Sequence, residues 1–396
     1  MGKVKIVFIT EDIFGESIGG VEQHIYHVGI QLARLGKEVI ILSLQAGRID
    51  TRKEEIIFED KGTVTTIKIV KKNFLIRLFE YLEKKVPGSL GMFVAFMGKL
   101  LPNVYFRTLL KEVRKLSPDI VHQHDYLASI VASKVISKSI PVVFTNHTGQ
   151  YLFLEKNKFS RYIQSKLISH YSAVIGPSIE LTPNDERSHY ISNGVDLDFF
   201  SGEKSDYLLG DRVVFICPRR WAPTKGVKYF AEALTLISDD YKDKVFVLFA
   251  GSDSDDYPWY RDQVLELLQD LPSGMYSLLG NLSQADLRDS FLKSDVVVIP
   301  SLMEATSLAA MEGMACGLPV LSTDVGGMPS VVKDGLTGWM VPPENSGAIA
   351  KMITMIVDKN FCLETMGENA ASFVRENKSW VSIAAEVSDI YENIEF

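Results

Sequence analysis

A short apolar run, a glycine-bearing loop, an amphipathic stretch and a second apolar run open the chain, and this order most restricts what it can become. Residues 4–9 (VKIVFI) lead into a loop through Gly19 and Gly20, then helix-like periodicity over 21–35, then an apolar run at 39–44. Strand, helix and strand in that order make a βαβ unit, which implies a parallel sheet. Apolar runs recur at 119–122 (DIVH), 141–145 (PVVFT) and 173–176 (AVIG), with helical patterns between them. They predict one doubly wound domain over residues 1–195.

The rhythm then restarts. RVVFIC (212–217) reads as a strand and 227–237 as a helix, with further strands at 245–250, 276–279, 295–299 and 319–322. The expected fold is α/β, with two doubly wound, Rossmann-like domains facing across a cleft at the carboxyl ends of both sheets, where ligands of this architecture bind. The second domain covers residues 196–379, and the last helical stretch, 380–396, is free to lie on either. A length of 396 residues suits two cores better than one.

A net charge of −8 disfavours nucleic acid as a partner, since a phosphate-tracking surface is basic. Three cysteines, Cys217, Cys316 and Cys362, are too scattered for a metal cluster and odd in number, which suits a reduced, cytoplasmic compartment. No apolar run is long enough for a secretion signal or a bilayer span. Residues 61–115 stand apart, with twelve Lys and Arg against three Glu and the apolar stretches FLIRLF (74–79) and LGMFVAFMGKLL (90–101). Such a segment predicts docking on an anionic membrane surface, at about 1 kcal/mol per basic residue near the lipid. The protein would then sit peripherally on the inner face of the membrane. Core-facing helices with a solvated basic face are the other reading.

Residues 300–319, PSLMEATSLAAMEGMACGLP, carry the most chemistry. Thr306 or Ser307 can cap a helix that ends before Gly317 and Pro319. Glu304 precedes that helix and Glu312 lies inside it, roughly 12 Å apart if all eight steps were helical. Carboxylates so separated cannot flank one bond as a glycosidase pair does, but they can grip two ends of an elongated ligand. Between them the helix N-terminus at Ser307 and Leu308 offers N–H groups to a phosphate. In CPRRWAPTKGVKYF, Arg220 and Lys225 share a strand-to-helix loop, and a guanidinium fork with an ammonium suits a diphosphate. Taken singly, a surface helix with incidental glutamates and a loop with solvated charges would read the same way.

In this order, RRWAPTKG and PSLMEATSLAAMEGMACGLPVLSTDVGGMP resemble the retaining glycosyltransferases of family 4, glycosyl transferases group 1, which have the GT-B fold. The likeness extends to GESIGGVEQHIYHVGIQLARLGKEV, DIVHQHDYLAS, SAVIGPS and NGVDLDFF. It implies a hexosyltransferase that moves a sugar from a nucleotide diphosphate sugar, by family habit a UDP-sugar, to a hydroxyl acceptor with retention. The acceptor would be a sugar, a lipid-linked group or a small molecule. Gly19 and Gly20 would approach the diphosphate and acceptor, Arg220 and Lys225 would hold the phosphates, and Glu304 would contact the transferred sugar. The Ser307 and Leu308 amides would complete the cradle and Glu312 would take the ribose. His124 would present to the donor sugar, while His122, one pleat earlier, reads as structural. His147 in FTNHTG is open between a cleft-facing group and a loop cap. No cofactor and no metal are expected, and Asp253-Ser254-Asp255 reads as a solvated acidic loop rather than a metal motif. Three departures stand out: Ser307 where the family often has Gly, Gly313 where Ala is usual, and Ser330 where Glu is common. A sugar-nucleotide epimerase and an idle sugar-nucleotide binder are the rival readings.

Overall fold

Runs of β-branched and aromatic residues form the central strands of two mostly parallel sheets. The structure, a computed structural model, describes residues 3–10, 20–47, 50–72, 105–124, 129–147, 165–204, 211–251 and 257–394. The chain divides into two units, one of Met1–Ser192 with Trp380–Phe396 and one of Asn193–Ser379.

The first unit has eight strands: β1 Lys5–Thr10, β2 Glu38–Gly47, β3 Thr51–Phe58, β4 Thr63–Lys72, β5 Ile120–Gln123, β6 Val142–Thr145, β7 Ala173–Gly176 and β8 Ser188–Tyr190. Their order across the sheet is β3-β4-β2-β1-β5-β6-β7-β8, and only the β3/β4 pair is antiparallel. The strands buried on both faces match the apolar runs read from sequence. The β3–β4 hairpin does not, because its strands are half-exposed and alternate polar with apolar residues, burying Val64, Ile67 and Ile69. Part of the basic segment is thus sheet. Charges along β3 (Arg52, Lys53, Glu54, Glu55) protect an edge that would otherwise template pairing.

Helix α1, Gly20–Arg34, crosses from β1 to β2, and α2, Phe106–Leu116, precedes β5. In α2, Leu109 and Val113 enter the core while Arg107, Lys111, Arg114 and Lys115 face solvent. For these residues the structure is a core-facing helix with a basic outer face. Residues 73–104, with both apolar stretches of the segment, lie outside the described residues. No described helix is long and apolar enough to cross a membrane.

The C-terminal helix Trp380–Asn393 returns to the first unit and packs along α1. Its Ile383, Val387, Ile390 and Tyr391 are buried. Trp380 stacks flat on His27, with centroids 5.3 Å apart. The Tyr391 hydroxyl shares a 2.5 Å hydrogen bond with His122 Nδ1, and His122 Nε2 meets Thr145 Oγ1 at 2.7 Å. Both ring nitrogens of His122 are therefore occupied by protein, as befits a structural group.

The second unit carries β9 Val213–Cys217, β10 Val245–Ala250, β11 Tyr276–Gly280, β12 Val296–Ile299, β13 Val320–Thr323 and β14 Gly338–Val341, all parallel, in the order β11-β10-β9-β12-β13-β14. Alternation along β9 sends Phe215 and Cys217 to one face and Val214 and Ile216 to the other, each into its own core. Winding reverses between β9 and β12 here, and between β1 and β5 in the first unit. Loops at the carboxyl ends of such strand pairs are the ligand-binding positions of this architecture.

Replacing Tyr391 by Phe removes the hydroxyl bonded to His122 and leaves a buried imidazole nitrogen without its partner. The expected cost is about 1–3 kcal/mol, read as a lower unfolding midpoint and faster amide exchange in the C-terminal helix. An unchanged midpoint would show that this tie does not hold the helix.

Candidate functional site

In the second unit the loops after β9 and β12 are joined through their main chains. The Thr224 carbonyl accepts the N–H groups of Leu302 at 2.8 Å and Met303 at 3.2 Å. Gly226 permits this approach. Its φ is +65°, and a Cβ there would stand 1.8 Å from the Pro300 carbonyl oxygen, so no side chain fits. A third loop contributes the Gly327 N–H, which donates to the Glu304 carbonyl at 3.2 Å.

Glu304 is the meeting point of the side chains. Its Oε2 accepts from Lys225 Nζ at 2.9 Å, from Ser301 Oγ at 3.2 Å and from Arg219 Nη2. Arg219 Nη1 also donates to Ser307 Oγ at 3.2 Å. The Arg219 and Glu304 side chains are only 8% and 11% exposed. Buried charges persist when hydrogen bonds and opposite charge compensate for lost water. Burial pushes the Glu304 carboxyl up, but the Arg219 charge, the Lys225 charge and hydrogen bond and the Ser301 hydroxyl outweigh it, leaving it below its ordinary value. Lys225 is lowered, first by burial and then by Arg219, with Glu304 opposing. Two cations share one carboxylate, so the group keeps an excess of positive charge. Arg219 Nε is buried with no hydrogen-bond partner among the described residues.

Ser307 caps helix α4, Leu308–Ala315, if α3 denotes Val227–Leu236 after the β9 loop. Its Oγ accepts from the Ala310 N–H at 3.3 Å. The hydroxyl that departs from the family pattern thus serves both the helix end and Arg219. The Leu308 amide precedes the intrahelical ladder, as first-turn amides do. Within α4, Glu312 is 5% exposed, and burial raises its carboxyl to about 7 against a partial downward pull from Arg219. Gly313 has a packing reason for its departure: a Cβ would come within 2.3 Å of Val297 Cγ2 on β12.

Arg220, singled out by its five-residue spacing to Lys225, has an exposed side chain and reaches neither acid; its charge contributes to lowering Lys225. Its neighbour Arg219 turns inward instead, and sequence reasoning passed over it. One signal was available, since Arg219 shares the parity of buried Cys217 at the end of β9.

In the first unit, Gly20 starts α1 and is exposed, while Gly19 lies outside the described residues, as do Asp253–Asp255 of the second unit. His124, just past β5, is 2% exposed, and its N–H donates to the Ile9 carbonyl at 2.8 Å. Its Nδ1 lies 3.0 Å from His147 Nε2, while its Nε2 is buried without a partner among the described residues. His24 of α1 completes a group of three rings, with centroids 4.8 Å from His147 and 5.8 Å from His124. Burial, then the neighbouring imidazoles, hold His124 and His147 well below the ordinary histidine value, so both are neutral at pH 7. His24 was not singled out from sequence, because a histidine on the inner face of an amphipathic helix looks like any core position.

Two family descriptions match the chain: "Glycosyl transferases group 1" over residues 203–373 and "Glycosyltransferase Family 4" over residues 18–199. Among curated relatives, the phosphatidylinositol N-acetylglucosaminyltransferase gpi3 subunit of Schizosaccharomyces pombe is 24% identical, covering 98% of this chain and 80% of that one. The D-inositol 3-phosphate glycosyltransferase of Corynebacterium glutamicum is 26% identical, covering 95% and 92%. Among solved structures, Anabaena HepE in complex with UDP and glucose superposes with a TM-score of 0.70 at 17% identity, over 98% of this chain and 99% of that one.

The raised Glu312 carboxyl gives a stability test. Between the ordinary carboxyl value of 4.5 and about 7 the folded chain holds a proton that the unfolded chain has released. Stability therefore falls as pH rises through that window and then levels. Glu312→Gln removes this loss, so the variant should exceed the wild type at pH 8 by an amount on the order of 3 kcal/mol, with no advantage at pH 4.5. Paired thermal unfolding at the two pH values reads the difference, and equal gains at both would mean the carboxyl is not raised.

Proposed function

Since the chain belongs to glycosyltransferase family 4, the glycosyl transferases group 1, a family of the GT-B fold, we propose that it moves a sugar from a UDP-sugar to a hydroxyl acceptor with retention at the anomeric carbon. The observation that carries this reading is the surplus of positive charge where Arg219 and Lys225 share Glu304 beside the capped start of α4. A diphosphate is the group such a surplus suits, and each charge-assisted bond is worth about 1.5–3 kcal/mol. In this reading Lys225 and Arg219 take the phosphates together with the Leu308 amide and the capped helix end at Ser307. Arg220 adds its charge from the exposed side of the same loop. Glu304 passes from its cations to the hydroxyls of the transferred sugar, and Glu312 accepts the ribose hydroxyls. The partnerless Nε2 of His124 takes a sugar hydroxyl.

Charge then develops on the departing diphosphate, and fixed cations stabilise it most in the transition state. No carboxylate is placed as a covalent nucleophile in this reading. The acceptor attacks from the face the nucleotide leaves, and the leaving phosphate oxygen takes the acceptor's proton. The two relatives named for inositol-containing acceptors make phosphatidylinositol and inositol 3-phosphate the first acceptors to try. Docking of residues 61–115 on an anionic inner membrane face, from a cytoplasmic location, belongs to the same proposal and suits a lipid-borne acceptor.

The proposal is tested by thermal shift with UDP-, GDP- and ADP-sugars, followed by nucleotide release with each acceptor and NMR of the product anomer. UDP-sugar stabilisation with an acceptor-dependent, retained product is expected. Isomerised donor without acceptor would make the protein an epimerase, and binding without turnover an idle binder; either outcome overturns the proposal. Lys225→Ala should lower kcat/KM by about 10–100-fold, the loss of one charge-assisted contact.

A pH series supplies a separate test. Hydroxyl donors favour the ionised Glu312, so UDP-sugar affinity should rise from pH 6 to pH 8 as that carboxyl passes about 7. The donor's own phosphates do not titrate in this range. Glu312→Gln should flatten the profile, and a slope retained in the variant would remove Glu312 from the ribose.

A further inference from the structure

We propose that His24, His124 and His147 form a binding site for one divalent transition-metal ion of the zinc class. One imidazole nitrogen from each lies within 4.8 Å of the other two. The nearest pair, His124 Nδ1 and His147 Nε2, stands 3.0 Å apart. Nitrogens bound to one zinc ion at about 2.0–2.1 Å in tetrahedral geometry lie roughly 3.4 Å from each other. The nearest pair is already close to that spacing, and modest ring rotation brings in the third.

The three rings come from different elements: His24 from α1, His124 from the end of β5, and His147 from just past β6. Neighbouring parallel strands fix the last two, since Val121 pairs with Val142 and Gln123 with Phe144. The fold therefore assembles the trio before any ion arrives, which keeps the ordering cost of binding low.

His122 shows what a purely structural histidine looks like in the same neighbourhood. It stacks on His124 at 4.2 Å, and hydrogen bonds to Tyr391 and Thr145 occupy both its nitrogens. His124 differs. One of its nitrogens meets only another imidazole, and the other is buried with no partner among the described residues. A chain of imidazoles has one proton for each two nitrogens, so it satisfies its contacts by mutual N–H···N bonding or by a shared cation. Imidazole is a good ligand for zinc, copper and nickel, and three imidazoles leave a fourth position for water or another oxygen ligand. This site departs from the expectation of no metal read from sequence, which did not weigh these three histidines together. The metal proposal does not rest on the transfer reading, since the His124 nitrogen that meets His147 is Nδ1.

The test uses the full chain, stripped with EDTA, freed of chelator and titrated with Co2+ and then Zn2+ in the absence of substrate. One equivalent of Co2+ with a visible tetrahedral or five-coordinate spectrum, displaced by Zn2+, is expected. His147→Ala, at the most accessible of the three positions, should weaken Zn2+ binding by more than about tenfold, while His189→Ala on exposed β8 should not. Nitrogen NMR of the wild type covers the case of a misfolded variant: Zn2+ should shift His24, His124 and His147 and leave His189 unmoved. No stoichiometric Co2+ spectrum, equal affinity in His147→Ala, or shifts confined to other histidines overturns the proposal. Since no donor or acceptor is present, such a failure leaves the transfer reading standing.

Discussion

The second unit is organised around one carboxylate held by two cations. Without Glu304, Arg219 would be a buried guanidinium with no counter-ion, and burial of that kind costs several kcal/mol unless it is compensated. Without Arg219 and Lys225, Glu304 would be driven towards its neutral form by the same burial that raises Glu312. The contact requires the loops after β9 and β12 to touch, and that is why the Thr224 carbonyl serves two amides and why position 226 accepts only glycine. A local electrostatic need thus fixes the backbone of two loops and, through Ser307, the start of a helix.

Topology explains why these loops are the ones involved. In a parallel sheet the hydrogen bonds are spent within the sheet and both faces are covered, so polar chemistry is confined to the strand ends. Where the winding reverses, adjacent loops run to opposite faces and leave room between them. In the second unit the reversal lies between β9 and β12, whose loops carry Arg219, Lys225, Glu304 and Ser307. In the first it lies between β1 and β5, and His124 is the first residue past β5.

Sequence revealed the elements whose physics is local. Strands buried on both faces announce themselves as apolar runs, so β1, β2, β5, β9, β10 and β12 could be placed to within a few residues. The β3–β4 hairpin, β8 and β14 were not read, because a half-exposed strand mixes charges into its pattern, and SHY and GWMV lack the run of β-branched residues that marks the other short strands. The helix start at Ser307 was legible as a cap followed by helix formers. Which of Arg219 and Arg220 turns inward was signalled only by strand parity, since the contact itself depends on a partner 85 residues away in sequence. The histidine trio was illegible for the same reason: His24, His124 and His147 become neighbours only when α1 lies over the ends of β5 and β6.

Both proposals grow from polar groups whose needs the protein does not meet. Hydrophobic burial and completed hydrogen bonds explain His122, which wants nothing further. They do not explain a buried Glu312 carboxyl raised to about 7, nor the guanidinium N–H of Arg219 and the ring nitrogen of His124 that are buried without a hydrogen-bond partner among the described residues. Such groups lower stability, and the cost is greatest where charge is involved. Single neutral examples elsewhere, such as the indole N–H groups of Trp221 and Trp339, cost less and are tolerated. What sets Arg219 and Glu312 apart is that one ligand bearing both anionic oxygens and hydroxyl donors would satisfy both, the first by accepting and the second by donating. A nucleotide diphosphate sugar has that composition. A hydrocarbon, a bare anion or a metal ion alone does not.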